Sequence, residues 1–150
     1  AEIVERIIAA QNYLAAYLNV RQLSFGLTDM AWHTITEPFE GDVEQFEVAS
    51  MAPSQVQPVV PGTAMAPAFG HIFSGGYAAG YYGYKWAEVL EADAFSLFKE
   101  KGIFNREVSG SFRENILSKG GTEHPMELYV RFRGHKPETK ALIEKMGLGK

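Results

Sequence analysis

The chain has 150 residues, 46% of them hydrophobic, with 14 basic and 18 acidic side chains and no cysteine. A net charge of −4 without clustered Lys and Arg argues against a polyanion-binding surface, so no nucleic-acid partner is expected. The missing thiols exclude disulfides, a cysteine nucleophile and any Cys-based zinc or iron–sulfur centre.

The length suits one domain, 1–150, able to bury about two thirds of its unfolded surface. The N-terminus, Ala1-Glu2-Ile3, has no initiator methionine, basic n-region or cleavage site. It therefore reads as no signal peptide, and as the edge of an excised piece of a longer polypeptide. Ile3, Ile7, Leu14 and Leu18 keep one helical face and predict an amphipathic helix over Glu2–Leu18. A second helix is expected over Val20–Thr34, with Leu23, Leu27, Met30 and Ala31 at core spacing. Asp42 caps a third, whose Val43, Phe46 and Ala49 would face inward.

From Pro53 to Pro67, prolines and Gly62 break the pattern, and an irregular segment of this length in a compact domain is often functional. A long helix is expected from Ser74 to Lys101. Asn105 caps the next, with Val108, Phe112 and Ile116 on one face before Gly120-Gly121 stops it. Thr122 and Pro125 start a short helix ended by Gly134, and Pro137 starts a last one ended by Gly147. No period-two run marks a strand. The reading is all-α. The uncharged stretch Ala64–Tyr84 is too rich in Gly and Tyr for a membrane span, and charges follow at Lys85 and Glu88.

Read as part of the long helix, Tyr77, Tyr81 and Tyr84 fall at i, i+4 and i+7, a line of phenols on one face. Gly76, Gly80 and Gly83 would form a bare strip beside them, costing about 1 kcal/mol each relative to Ala. Close approach of another helix or of a bound chain would offset that cost. A phenol with an ordinary pKa of about 10 is a neutral donor at pH 7, suited to a developing oxyanion, and His71 adds a donor just ahead. The competing structural reading is a buried helix whose tyrosines are satisfied by core partners.

Other chemistry falls away. Gly75-Gly76-x-x-x-Gly80 lacks dinucleotide spacing, and no P-loop occurs. Of the four histidines, none lies three to five residues from another, so no His-Glu-x-x-His zinc motif exists. His33 reads as packed, and His124 and His135 as solvated. Ser74 has no G-x-S-x-G elbow, and Glu88, Glu91 and Asp93 read as a solvated helix face. No complete catalytic constellation is present.

The run His71-Ile-Phe-Ser-Gly-Gly-Tyr77-Ala-Ala-Gly-Tyr81-Tyr82-Gly-Tyr84-Lys-Trp86 closely resembles the C-terminal segment of the thimet-oligopeptidase family. That family of zinc metallopeptidases includes peptidyl-dipeptidases and oligopeptidase A. Arg21–His33, Gly102–Asn105, Asn115–Gly121 and Arg131–Pro137 resemble further family segments, so the likeness covers nearly the whole chain. It implies that the zinc ligands lie on preceding elements absent here, so no metal residue is expected in this chain. It also implies that His71, Tyr77 and Tyr84 contact peptide and tetrahedral intermediate, Tyr81 lines the same cleft, and Gly75 and Gly76 form a flexible loop. The spacing from His71 to Tyr77 is like that of bacterial members.

The resemblance therefore implies the C-terminal part of a bacterial, cytoplasmic, peptidyl-dipeptidase-like zinc peptidase acting on short peptides. Its partner would be the missing N-terminal part of the same polypeptide, and its own metal-free piece would be inactive. Endopeptidase cleavage of the oligopeptidase A type is the alternative within the enzyme class. A stand-alone helical binding module, using the glycine strip as a peptide groove, is the alternative outside it.

Overall fold

The computed structural model describes residues 2–149 and contains no strand among them. The chain divides into two compact units, the first ending at Lys85 and the second beginning at Trp86.

In the first unit, α1 covers Glu2–Gln11 and α2 covers Ala15–His33. The expected single helix Glu2–Leu18 is thus broken earlier, at residues 12–14, where Leu14 takes a left-handed φ of 55°. Tight turns from Tyr13 N–H to the Ala10 carbonyl and from Ala15 N–H to the Asn12 carbonyl close the joint. Apolar periodicity continues across it because a turn of this kind leaves no hydropathy signature.

The inward face of α2 is the reverse of the expected one. Leu23, Leu27 and Met30 are exposed, whereas Ser24, Gly26, Thr28 and Asp29 are buried. Buried polar groups persist only when hydrogen-bonded. Here Ser24 Oγ donates to the Arg21 carbonyl, Thr28 Oγ1 lies 3.0 Å from Ser50 Oγ, and the Asp29 carboxylate accepts from the Ala79 and Tyr81 N–H groups.

Helix α3, Val43–Met51, is capped as expected: Asp42 Oδ1 accepts from Gln45 N–H at 2.9 Å. Ala49 proves exposed, and the buried residue of α3 is Glu47. Trp32, Phe39 and Phe46 pack as an aromatic cluster, with Trp32 and Phe46 centroids 4.3 Å apart, and this joins α2 to α3.

The segment after α3 is irregular, as anticipated, apart from single 3-10 turns at Ala52–Ser54 and Ala66–Ala68. Glu47 organises it. One carboxylate oxygen accepts from Met65 N–H at 2.7 Å and the other from Ala66 N–H at 2.6 Å. Glu44 accepts from Gly62 N–H. A four-residue helix, α4 at Gly70–Phe73, then carries His71, with Ile72 fully buried beneath it.

The expected long helix from Ser74 is corrected. Residues 74–82 form successive turns, and α5 runs only from Gly83 to Lys101. Gly76 at φ +79° and Ala79 at φ +52° are incompatible with a right-handed helix. The glycine strip therefore does not exist.

In the second unit, α6 at Arg106–Phe112 begins at the Asn105 cap and widens into a π turn over Arg113–Leu117. Ser118 N–H reaches the Arg113 carbonyl, the i→i+5 bond of that turn. Helix α7 spans Pro125–Arg133 and α8 spans Lys140–Lys145. Gly134 and Gly147 end them in left-handed conformations, as their positions predict. His124, rather than Thr122, caps α7.

Ala94, Val108, Tyr129 and Phe132 form a core, with Phe98, Phe112 and Ile116 against it. A large apolar side chain buried this way contributes about 1.5–3 kcal/mol. Asp93 departs from its expected solvated place. It is 3% exposed, accepting a 2.5 Å hydrogen bond from Tyr129 Oη.

Candidate active site

The residues singled out in the tyrosine–glycine run converge within the first unit, although not by a helix face. Tyr77 and Tyr81 lie on the turns after α4, and Tyr84 lies in the first turn of α5. The turns do what helical spacing was expected to do: His71 stacks on Tyr77 at 4.4 Å and 15°, and Tyr77 stacks on Tyr84 at 5.2 Å and 19°. Tyr81 meets Tyr84 at 5.1 Å. Four rings thus share one patch.

Two glycines make the turn possible. A Cβ on Gly75 would lie 2.9 Å from the His71 carbonyl oxygen, closer than real contacts allow. Gly76 adopts the left-handed backbone that favours glycine. Both belong to the site structurally, directly between His71 and Tyr77.

His71 Nε2 and Tyr84 Oη are 2.8 Å apart. With the proton on Nε2, the imidazole donates to the phenol oxygen and leaves the phenol O–H to donate elsewhere. The Tyr84 pKa is held above its ordinary value, first by the hydrogen bond with Tyr77, then by partial desolvation and the neighbouring phenols. Burial raises Tyr81 likewise. Both phenols therefore remain protonated donors well above neutral pH. Tyr77 and Tyr84 are each about two-fifths exposed, open to an incoming molecule, at 40% and 41%.

Tyr81 is the anchored member. Its hydroxyl donates to Gln22 Oε1 at 2.7 Å, and its ring packs between Phe25 and Phe69. Beneath the loop, the Asp29 carboxylate accepts from Ala79 N–H at 2.9 Å and from Tyr81 N–H at 2.8 Å. His33 Nδ1 lies 2.8 Å from the Asp29 carbonyl oxygen and 2.9 Å from Asp29 Oδ1, so the packed histidine finds its partner in Asp29.

Sequence reading passed over Gln22, Asp29 and Glu47. Asp29 carried one signal, an acid on a largely apolar helix four residues before a histidine. Periodicity assigns such an acid to the outer face. Ser74 donates its hydroxyl to the Gly70 carbonyl, in keeping with its lack of a nucleophile motif. His124 is exposed and caps α7, and His135 binds the Lys136 carbonyl.

No group of three His, Asp or Glu among the described residues is placed to hold a metal ion. The donors gathered here, one imidazole and three phenols, do not fit a zinc ligand set. What they offer is neutral O–H donors on an aromatic floor, able to meet an oxygen acceptor.

The sequence pattern of Peptidase family M3 matches residues 1–148. Oligopeptidase A of Escherichia coli (strain K12) is 48% identical over 150 residues, covering 98% of this chain and 22% of the relative. Probable cytosolic oligopeptidase A of Arabidopsis thaliana is 38% identical over 97% of this chain and 22% of its own length. Dipeptidyl carboxypeptidase of Escherichia coli (strain K12) is 36% identical over 98% of this chain and again 22% of the relative. The chain therefore spans about a fifth of the length of the curated relatives it matches. With that match running over almost every residue, the chain belongs to peptidase family M3.

Proposed function

We propose that these residues are the substrate-orienting, oxyanion-binding C-terminal part of an oligopeptidase A-like zinc peptidase that cleaves short peptides. The observation that carries this reading is the His71–Tyr84 contact at 2.8 Å inside the stacked ring patch. It couples a neutral phenol donor to an imidazole beside exposed aromatic surface. Relatives named oligopeptidase A reach 49% identity against 36% for those named dipeptidyl carboxypeptidase, which favours internal cleavage over the dipeptide release first expected.

The zinc and its ligands belong, in this reading, to the longer protein outside these 150 residues. No step here passes through a metal held by this chain. Its own residues act on the peptide. Tyr77 and the His71 ring offer a flat surface against which a peptide plane lies, and Tyr84 donates to the carbonyl oxygen as charge develops there. A donor poised for the transition state lowers the barrier without tightening the ground state.

The exposed apolar side chains of α1 and α2, Ile3, Ile7, Leu23 and Leu27 among them, support a missing partner surface from the same polypeptide. A cytoplasmic site of action goes with this reading. The rival binding module relied on a helical glycine strip, which the turns at 74–82 remove.

The test is Tyr84→Phe in the longer protein, assayed on a fluorogenic oligopeptide. The ring stack survives the change and only the hydroxyl is lost. The expected result is a kcat lower by on the order of 100-fold, with KM nearly constant. Tyr82→Phe, an exposed neighbour, should leave both constants alone. A loss below about tenfold in kcat for Tyr84→Phe would remove the oxyanion role.

A further inference from the structure

We infer that Asp29 is a positioning residue for the tyrosine loop, setting where the Tyr84 hydroxyl stands. The inference rests on the oxyanion reading of Tyr84. Asp29 is fully buried, at 0% exposure, where a carboxylate is stable only if its acceptors are filled. They are filled by the loop: Ala79 N–H on Oδ1 and Tyr81 N–H on Oδ2, from residues 50 and 52 positions further along the chain. His33 Nδ1 supplies a third contact.

The clamp sits on a prepared helix face. Gln22, Gly26 and Asp29 recur at i, i+4 and i+7 of α2, so they form one stripe. Gln22 takes the Tyr81 hydroxyl. A Cβ on Gly26 would meet the Tyr82 backbone at 3.8 Å, so the loop lies directly against the helix there. Asp29 takes the two amides. The loop is held over residues 79–82 by a single face.

A second observation points the same way. Ala79 has φ +52°, a left-handed conformation disfavoured for any residue with a Cβ. Such a conformation persists where the surroundings over-determine it, and the Asp29 bond to the Ala79 amide is the surrounding that does so. An asparagine offers one acceptor oxygen and turns its NH₂ against the other amide. A glutamate is one methylene too long for a site with no exposed area. The aspartate carboxylate matches the two amides at this distance from α2.

Tyr84 follows this loop directly, so the clamp fixes the start of α5 and with it the phenol. Misplacing a catalytic group by about 1 Å costs roughly 100-fold in rate. Asp29→Asn in the longer protein should therefore lower kcat 10- to 100-fold with KM changed less than about threefold. In the background of Tyr84→Phe, the same substitution should lower kcat by less than about twofold, because the group it positions is gone.

Hydrogen exchange read by mass spectrometry over residues 77–84 supplies an outcome independent of activity. The Ala79 and Tyr81 amides should be protected in the wild-type protein and lose that protection in Asp29→Asn, while α3 is unaffected. The wild-type measurement needs no variant, so a misfolded Asp29→Asn leaves the clamp testable. Free-peptide exchange of both amides in the wild-type protein overturns the inference. So do a kcat unchanged in Asp29→Asn and full multiplicative losses in the double variant. If Tyr84→Phe alone retains kcat, the oxyanion reading fails instead, and the exchange result still decides whether the clamp exists.

Discussion

Tyr129→Phe removes one oxygen from the core of the second unit and leaves the ring in place. Tyr129 is 7% exposed and Asp93 3%, and their hydrogen bond is 2.5 Å long. Because the ring area stays buried, the apolar contribution cancels and the hydrogen bond alone decides the size of the effect. A bond to an ionised partner contributes about 1.5–3 kcal/mol net, against 0.5–1.5 for a neutral pair. Arg133 Nε lies 3.7 Å from Asp93 Oδ1, so the carboxylate keeps a partner and the loss should fall at the lower end, about 2 kcal/mol. Asp93→Ala strips both Tyr129 and Arg133 of that carboxylate and should cost about 3 kcal/mol or more. The double variant should cost less than the sum by about 1.5 kcal/mol, the coupling of a direct contact.

A single melting temperature is not defined for a chain of two units, so the assay is native-state hydrogen exchange of the α7 amides. The pH dependence supplies a second reading. Burial first, and then the bond to Asp93, raise the Tyr129 pKa above its ordinary value of about 10. A folded-state pKa raised in this way gives stability that is complete below about pH 10 and declines as pH climbs beyond it. Wild-type protection of α7 should therefore fall above pH 10, and Tyr129→Phe should lack that component. A stability change under about 0.5 kcal/mol, or an unaltered alkaline limb, would refute the assignment of this bond as a net stabiliser.

Two further outcomes test other parts of the molecule. The Glu123 carboxyl is held at about 2, chiefly by its hydrogen bond to Arg131 and next by that to Lys119. Its ionised contacts are thus complete above the ordinary carboxylate range and fade as pH falls toward 2. Titration by NMR should find that low midpoint, and Arg131→Ala should move it upward; a midpoint near 4 in the wild type would contradict the contact. The isolated 150-residue chain should neither hydrolyse peptides nor bind one equivalent of zinc tightly, and a stoichiometric high-affinity isotherm in calorimetry would overturn the placement of the metal ligands outside it.

Much of the helical punctuation was legible because its chemistry is local. Asp42 and Asn105 accept N–H groups within three residues, and Gly134 and Gly147 terminate helices through their own φ. That His71, Tyr77, Tyr81 and Tyr84 belong together in one patch was legible too, from a motif, although the geometry attached to it was not. Regular i, i+4, i+7 spacing suggested a helix face, while Gly76 and Ala79 turn the chain the other way and stack the same rings through turns.

The sequence by itself determined an all-α chain, its principal caps and stops, the absence of thiol chemistry and the four rings of the candidate site. Only tertiary structure decided which face of α2 turns inward and which acids are buried. Hydrophobic periodicity reports where apolar side chains recur, but a buried carboxylate is decided by donors that arrive from far along the chain. Asp29 is held by amides 50 and 52 residues away, Glu47 by amides 18 and 19 away, and Asp93 by a phenol 36 away. No local pattern encodes those partners, because the desolvation of each acid is compensated only once the chain has folded back to meet it.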